Sequence, residues 1–428
     1  MRRASTAILA AAGVMLAAAG ASAQPVQLSA MAALGKDMFF DRSLSGSGAM
    51  SCATCHDPAH HFAPVNDQAV QIGGPYLSEP GIRATPSLTY RSFTPTFSVG
   101  PADEASEAGD ATPMAAANGA VSGGPAGPLG AAPPATGKSG TDNAANMVPR
   151  GGMFWDGRVD TLQDQALGPL MSPFEMANPD IATLADKVRK GYGDRIAQLA
   201  GKNVLDDPQA LVGEAGFAIA RYQIEDPVFH PFNSRYDDYL AGKATLSEQE
   251  MRGLKVYEDR NRGNCADCHP DKPAADGTPP LFTDFQYEAL GAPRNMAIPA
   301  NADPKYFDLG LCGPMRDDDY SRQKENCGLF KTPSLRNAAA RGVFFHNGVF
   351  HSLEDVMRFY AERNTDPGRF YGKGADGKVV AYGDMPAEYR GNIDVIDPPF
   401  NRKAGDKPAL KDQDIADLVA FLKTLTDR

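Results

Sequence analysis

Apolar residues recur at helical spacing in several parts of the chain. Leu28 to Phe40 reads as one helix, and Leu211 to Tyr222 and Ile415 to Leu425 read as two more. Two further helix starts carry caps. Ser247-Glu248-Gln249-Glu250 is a capping box, and Ser352-Leu353-Glu354-Asp355 opens a helix with Leu353, Val356 and Tyr360 on one face. Few runs alternate as strands do. The pattern predicts a mainly α protein with long loops.

The first apolar run is different. Ile8 to Ala19 follows Arg2 and Arg3 and precedes Ala21-Ser22-Ala23, the layout of a secretory signal with an A-x-A cleavage site. Residues 1–23 are expected to be removed near Ala23, and the product to be periplasmic. The run is too short, and too interrupted by Gly13, to serve as a membrane anchor. Ser98 to Met147 is rich in Gly, Ala, Pro and Ser, so 98–147 is expected to be a flexible surface insertion, with a gating lid as the alternative.

Composition narrows the function. The chain has 428 residues, ample for a core, and 42% are hydrophobic, which excludes a wholly disordered chain. Without Arg2 and Arg3, 40 basic residues face 53 acidic ones, a balance of −13. That argues against nucleic acid and suits a basic soluble partner. Six Cys are too few to staple a chain this long.

Four of those Cys stand in two C-x-x-C-H motifs, Cys52-Ala53-Thr54-Cys55-His56 and Cys265-Ala266-Asp267-Cys268-His269. Two thiols at this spacing can form thioethers to the vinyl groups of one haem, and the adjacent His can reach the iron. Zinc or thiol redox chemistry is the competing reading. Two such motifs in an exported chain favour two covalent c-type haems. Cys312 and Cys327 lie outside any motif and are expected either to close one loop as a disulfide or to stay free.

Three segments repeat in the same order. Gly35-x3-Phe39-x-Asp41-Arg42 matches Gly253-x3-Tyr257-x-Asp259-Arg260, and Thr85-Pro86-Ser87-Leu88 matches Thr332-Pro333-Ser334-Leu335. Phe154-Trp155-Asp156-Gly157 matches Phe345-His346-Asn347-Gly348. This order predicts two duplicated, cytochrome-c-like helical domains, 24–240 and 241–428.

The repeat makes the halves comparable. Twelve residues after Gly348 stands Tyr360; twelve after Gly157 stands Pro169. A phenol oxygen can ligate iron and proline cannot, so the second haem could be closed and the first left open. Met357, Met315, His346 and His351 are rivals of Tyr360, which could also be a core residue. Glu175, flanked by apolar residues, is a candidate acid–base group at the open side, or a solvated loop residue. Trp155, the only Trp, could relay an electron between the haems or anchor a core.

These residues resemble the bacterial dihaem cytochrome c peroxidase/MauG family. The likeness rests on Leu34-Gly35-Lys36, Ser51 to His56, Phe154 to Arg158, Gln165 to Glu175, Phe282 to Phe285, Phe330 to Asn337, His346 to Gly348 and the tail from Ile415 to Leu425. It implies a distal glutamate at Glu175, a distal-pocket glutamine at Gln165 and a tryptophan between the haems at Trp155. It implies His56 as ligand of the first haem iron, with His269 and Tyr360 as ligands of the second. Tyr at that position marks the MauG-like subgroup. A distal His common in the family falls at Ile72 here, which implies a first haem that needs no activation. The family's calcium side-chain ligand falls at Tyr90, and its backbone positions at Arg341 and Val343, so calcium is doubtful. The implied reaction is reduction of hydrogen peroxide, with electrons from a small cytochrome c or copper protein. The alternatives are oxidation of a protein substrate, as in MauG, a dihaem electron carrier without turnover, or a dihaem sensor.

Overall fold

The computed structural model describes residues 27–101 and 147–428. The expected signal and the body of the expected insertion, 102–146, lie outside the described residues.

Helix α1 (Ala30–Phe40) begins at Ser29, whose hydroxyl accepts the Ala32 N–H at 3.1 Å. Ser29 also donates to the Glu225 carboxylate, tying this end to helix α5 (Pro208–Glu225). A Cβ on Gly35 would overlap the Ala218 carbonyl, so only glycine allows α1 and α5 to meet this closely. Between them in sequence lie the haem-motif turn α2 (Cys52–Cys55), α3 (Leu162–Met171) and α4 (Ile181–Ala200). Leu34, Met38, Phe39, Leu184, Val188, Leu211 and Ile219 fill one core among them. Each such side chain contributes roughly 1.5–3 kcal/mol by leaving water.

The second core repeats the device. It is built from α6 (Arg235–Leu240), α7 (Glu248–Glu258), α8 (Cys265–Cys268), α9 (Leu353–Glu362) and α10 (Asp412–Lys423). The capping box at Ser247 and Glu250 opens α7. A Cβ on Gly253 would overlap the Asp417 carbonyl on α10. Tyr236, Tyr257, Phe282, Leu418 and Phe421 fill this core. Because Tyr236 belongs to it, the change of core falls between Phe229 and Tyr236, a little before residue 240.

Strands among the described residues are short antiparallel pairs. β1 (Ile72–Gly73) pairs β2 (Glu79–Pro80), and β5 (Tyr287–Glu288) pairs β6 (Phe330–Lys331). β3 (Ser98–Pro101) pairs β4 (Met147–Arg150), with Ser98 opposite Arg150. The two edges of the expected insertion 98–147 are thus joined by ladder hydrogen bonds. No helix among the described residues is long and apolar enough to cross a membrane.

Candidate functional site

Each C-x-x-C-H motif forms one helical turn followed by its histidine. His56 Nδ1 lies 3.1 Å from the Phe62 carbonyl, and His269 Nδ1 lies 2.8 Å from the Phe282 carbonyl. A carbonyl only accepts, so Nδ1 carries the proton and Nε2 keeps its lone pair for a metal. Burial lowers both imidazoles to about 4, which favours the neutral, ligating form. Burial also raises the paired thiols, Cys52 to about 12 and Cys55 to about 11. Two adjacent thiols and a free imidazole nitrogen on one turn fit a covalently attached haem.

The second motif faces a cavity of about 240 Å³ lined by Cys265, Cys268, His269, Met357, Tyr360 and His346, among others. Its apolar walls fit a porphyrin. Tyr360 stacks near Phe345 and Phe400, with ring centroids 6.2 and 5.1 Å away. Burial holds its phenol above the ordinary range. His346 lies flat on Phe330, 3.6 Å between centroids, which occupies one face of its ring. Met315 and His351 do not line this cavity.

On the first side, α3 begins at Thr161, whose hydroxyl accepts from Asp164 N, and carries Gln165 and Pro169 one turn apart. The loop after it folds back, Met176 N bonding the Pro169 carbonyl at 3.0 Å. Glu175 therefore sits beside Pro169 and close enough to Cys52 and Cys55 to act on both electrostatically. Burial raises its carboxyl above the ordinary range. Ser172, just outside hydrogen-bond geometry, and Arg158 oppose this more weakly. The β1–β2 hairpin covers the loop, with Gly74 N bonded to the Glu175 carbonyl at 2.8 Å. Ile72 is 48% exposed on that hairpin.

Trp155 joins the two sides. It lines the second cavity and also a smaller one, of about 110 Å³, that contains Gln165, Pro86 and Pro333. Its indole N–H donates to the Ala84 carbonyl at 2.9 Å, and its own carbonyl accepts from Lys331 N at 2.9 Å. Behind it, Arg83 is clamped between Asp156 at 2.7 Å and Asp308 at 2.6 Å, and Asp156 also holds Arg158. Sequence reasoning missed this buried network, because Arg83 and Asp308 are 225 residues apart. Tyr90 Oη donates to Asp427 at 2.8 Å. Cys312 and Cys327 are joined as a disulfide.

Two histidine-anchored thiol pairs in a helical frame define a dihaem c-type oxidoreductase. The chain belongs to the di-haem cytochrome c peroxidase family, whose model matches residues 29–245. It is 32% identical to methylamine utilization protein MauG of Paracoccus denitrificans, over 99% of this chain and 95% of the relative. It is 27% identical to cytochrome c551 peroxidase of Nitrosomonas europaea, over 89% of each. Among solved structures, the diheme peroxidase BthA of Burkholderia thailandensis is similar, with a TM-score of 0.76 and 37% identity, over 94% of this chain and 87% of that one. The protein accordingly carries two c-type haems.

Proposed function

We propose that the protein is a periplasmic peroxidase of the MauG-like kind. It reduces hydrogen peroxide at the first haem and receives electrons through the second. The observation that carries this reading is the inequality of two matched helix positions, Pro169 and Tyr360, with the desolvated Glu175 beside the former.

Haem iron supplies an oxygen-binding site and a reversible change of valence. The protein supplies the rest. His56 would hold the first haem through the nitrogen that Phe62 leaves free. Pro169 offers no ligating atom, which would leave the first haem open to peroxide. Glu175 as carboxylate takes the proton from one peroxide oxygen and, as the acid so formed, returns it to the departing one; burial, which raises its pKa, favours holding that proton between the two transfers, and general acid–base help of this kind gives typically 10²–10⁴-fold. Gln165 orients the substrate from the same helix. Reduction of one peroxide to two waters consumes two electrons and two protons. Trp155 passes electrons between the sites, its ring held by the Ala84 carbonyl. His269 and Tyr360, which line one cavity, would both hold the second haem. Export is supported by the signal pattern and by the Cys312–Cys327 disulfide.

Cytochrome c551 peroxidase among the relatives favours a small cytochrome as donor. MauG at 32% identity, together with Tyr360, favours a second reading in which a protein substrate is oxidised. The test is steady-state peroxide consumption by the holoprotein with reduced cytochrome c. Oxidation of two cytochromes per peroxide supports the peroxidase. Rapid reaction with peroxide but no cytochrome oxidation supports the second reading. No reaction with peroxide rules out both.

A further inference from the structure

The smaller cavity beside Trp155 has an unusual charge inventory. Arg91, Lys331, Arg336 and Arg341 line it, and no Asp or Glu does. Arg336 is satisfied by a two-pronged ion pair to Asp237 at 2.7 and 2.9 Å. The other three have only neutral partners. Arg91 Nε donates to the Ser87 carbonyl at 2.8 Å. Arg341 donates to the carbonyls of Val343 at 3.3 Å and Thr85 at 3.2 Å. The Lys331 ammonium reaches the Gly152 carbonyl, and the residue is 4% exposed.

Cations taken out of water are costly unless an anion meets them. Burial lowers the pKa of both Lys331 and Arg341, Arg91 lowers them further, and Asp156 opposes this only at Lys331. Arg83, a short distance away, shows the usual remedy: two carboxylates enclose it. No carboxylate among the described residues lines the cavity to neutralise these cations.

We propose that Arg91, Lys331 and Arg341 form a carboxylate-binding site that receives the haem propionates where the two haem sites meet. The propionates are the only anionic groups of the porphyrin. Pro86 and Pro333 both line the cavity, and their carbonyls lie beside His56 and His269 respectively. Both thiol–histidine sites thus adjoin it. Guanidinium groups match carboxylates with paired N–H donors, and Lys331 adds a point charge where the cavities share a wall. The same carboxylate chemistry could come from a small solute acid, and a divalent cation would instead compete with the guanidinium of Arg341. The inference rests on haem binding alone and stands whether or not peroxide is the substrate.

The test uses holoprotein carrying Arg91→Met, Lys331→Met or Arg341→Met, with Arg341→Lys as the charge-keeping control. Resonance Raman spectra read the propionate bending bands, and spectroelectrochemistry reads each haem's reduction equilibrium. Loss of a cation beside a propionate should shift the bending bands and disfavour reduction about tenfold, which is 59 mV for one electron. Arg341→Lys should restore most of that equilibrium. Unchanged bands and equilibria in all three methionine variants would overturn the assignment, as they would if a solute acid filled the cavity. If a methionine variant fails to accumulate, Arg341→Lys is read by Raman alone, where an unshifted band overturns the proposal and a shifted one supports it. Wild-type protein should keep its spectrum and melting temperature in EDTA. A fall in both, with release of a divalent ion, would put a metal in the cavity and defeat the proposal.

Discussion

The two haem-bearing halves use one backbone plan for unequal ends. Phe154 and Phe345 both have φ +65°, and Gly157 and Gly348 have +62° and +61°. Both then enter a ten-residue helix through a hydroxyl cap, Thr161 in one and Ser352 in the other. Eight residues past each cap stand Pro169 and Tyr360. Where the first half turns after its helix into Ser172 and the desolvated Glu175, the second places Arg363. Arg363 is fully buried, and its guanidinium lies 4.0 Å from the Phe400 ring that packs beside Tyr360. The two helices match in cap, length and preceding backbone, while the side chains they carry differ: a proline with a desolvated carboxyl beside it on one side, a buried phenol with a buried guanidinium near it on the other.

Removing either function separately should break the comparison cleanly. Glu175→Gln is expected to slow peroxide turnover by roughly 10²–10⁴-fold while leaving the second haem's spectrum intact. Tyr360→Phe should alter the second haem's resting spectrum and spare the first. Stopped-flow absorbance of the two variants checks both expectations.

The matched glycines test whether the frames are equivalent. Gly35→Ala and Gly253→Ala each press a methyl into a facing backbone carbonyl, and each should cost about 3 kcal/mol or more. Gly213→Ala, with open space around its Cβ, should instead stabilise α5 by roughly 0.5–1 kcal/mol. Thermal unfolding of the holoprotein compares them. Unequal losses at Gly35 and Gly253 would show that the halves do not share one packing plan.

The disulfide exists only in the second half. Replacing Cys312 and Cys327 by Ala opens a loop with a sequence separation of 15 and should cost about 3 kcal/mol. The loss should appear as a lower melting temperature with both haems retained.

The smallest effect is the pH dependence that Glu175 contributes. Burial raises the Glu175 carboxyl above its ordinary 4.5, so the folded state holds that proton more tightly than the unfolded state does. This stability is fully present below the ordinary value and is lost as pH rises through the elevated one. Glu175→Gln should therefore gain melting temperature relative to wild type above that range, and the gain should vanish on the acid side. A gain that is the same at every pH would contradict the assigned burial.

Much of this was legible in the sequence. The motifs gave the two thiol–histidine turns, the caps at Ser247 and Ser352 marked real helix starts, and apolar spacing found three further helices to within a few residues. Helix α4 was not legible, because Gly191 and Gly193 interrupt its polar-rich pattern. Its Asp180 cap, accepting from Thr183 N, was the signal available. The charge architecture was invisible for a different reason. Arg83 with Asp308, and Arg91 with Arg341, meet only through tertiary structure, and no local spacing reports them.

The central claim is that two unequal haem sites act as one unit through Trp155. The most direct measurement mixes resting protein with one equivalent of hydrogen peroxide and follows both haems optically on the millisecond scale. The account predicts that the absorption of both haems changes together. A change confined to one haem would contradict it.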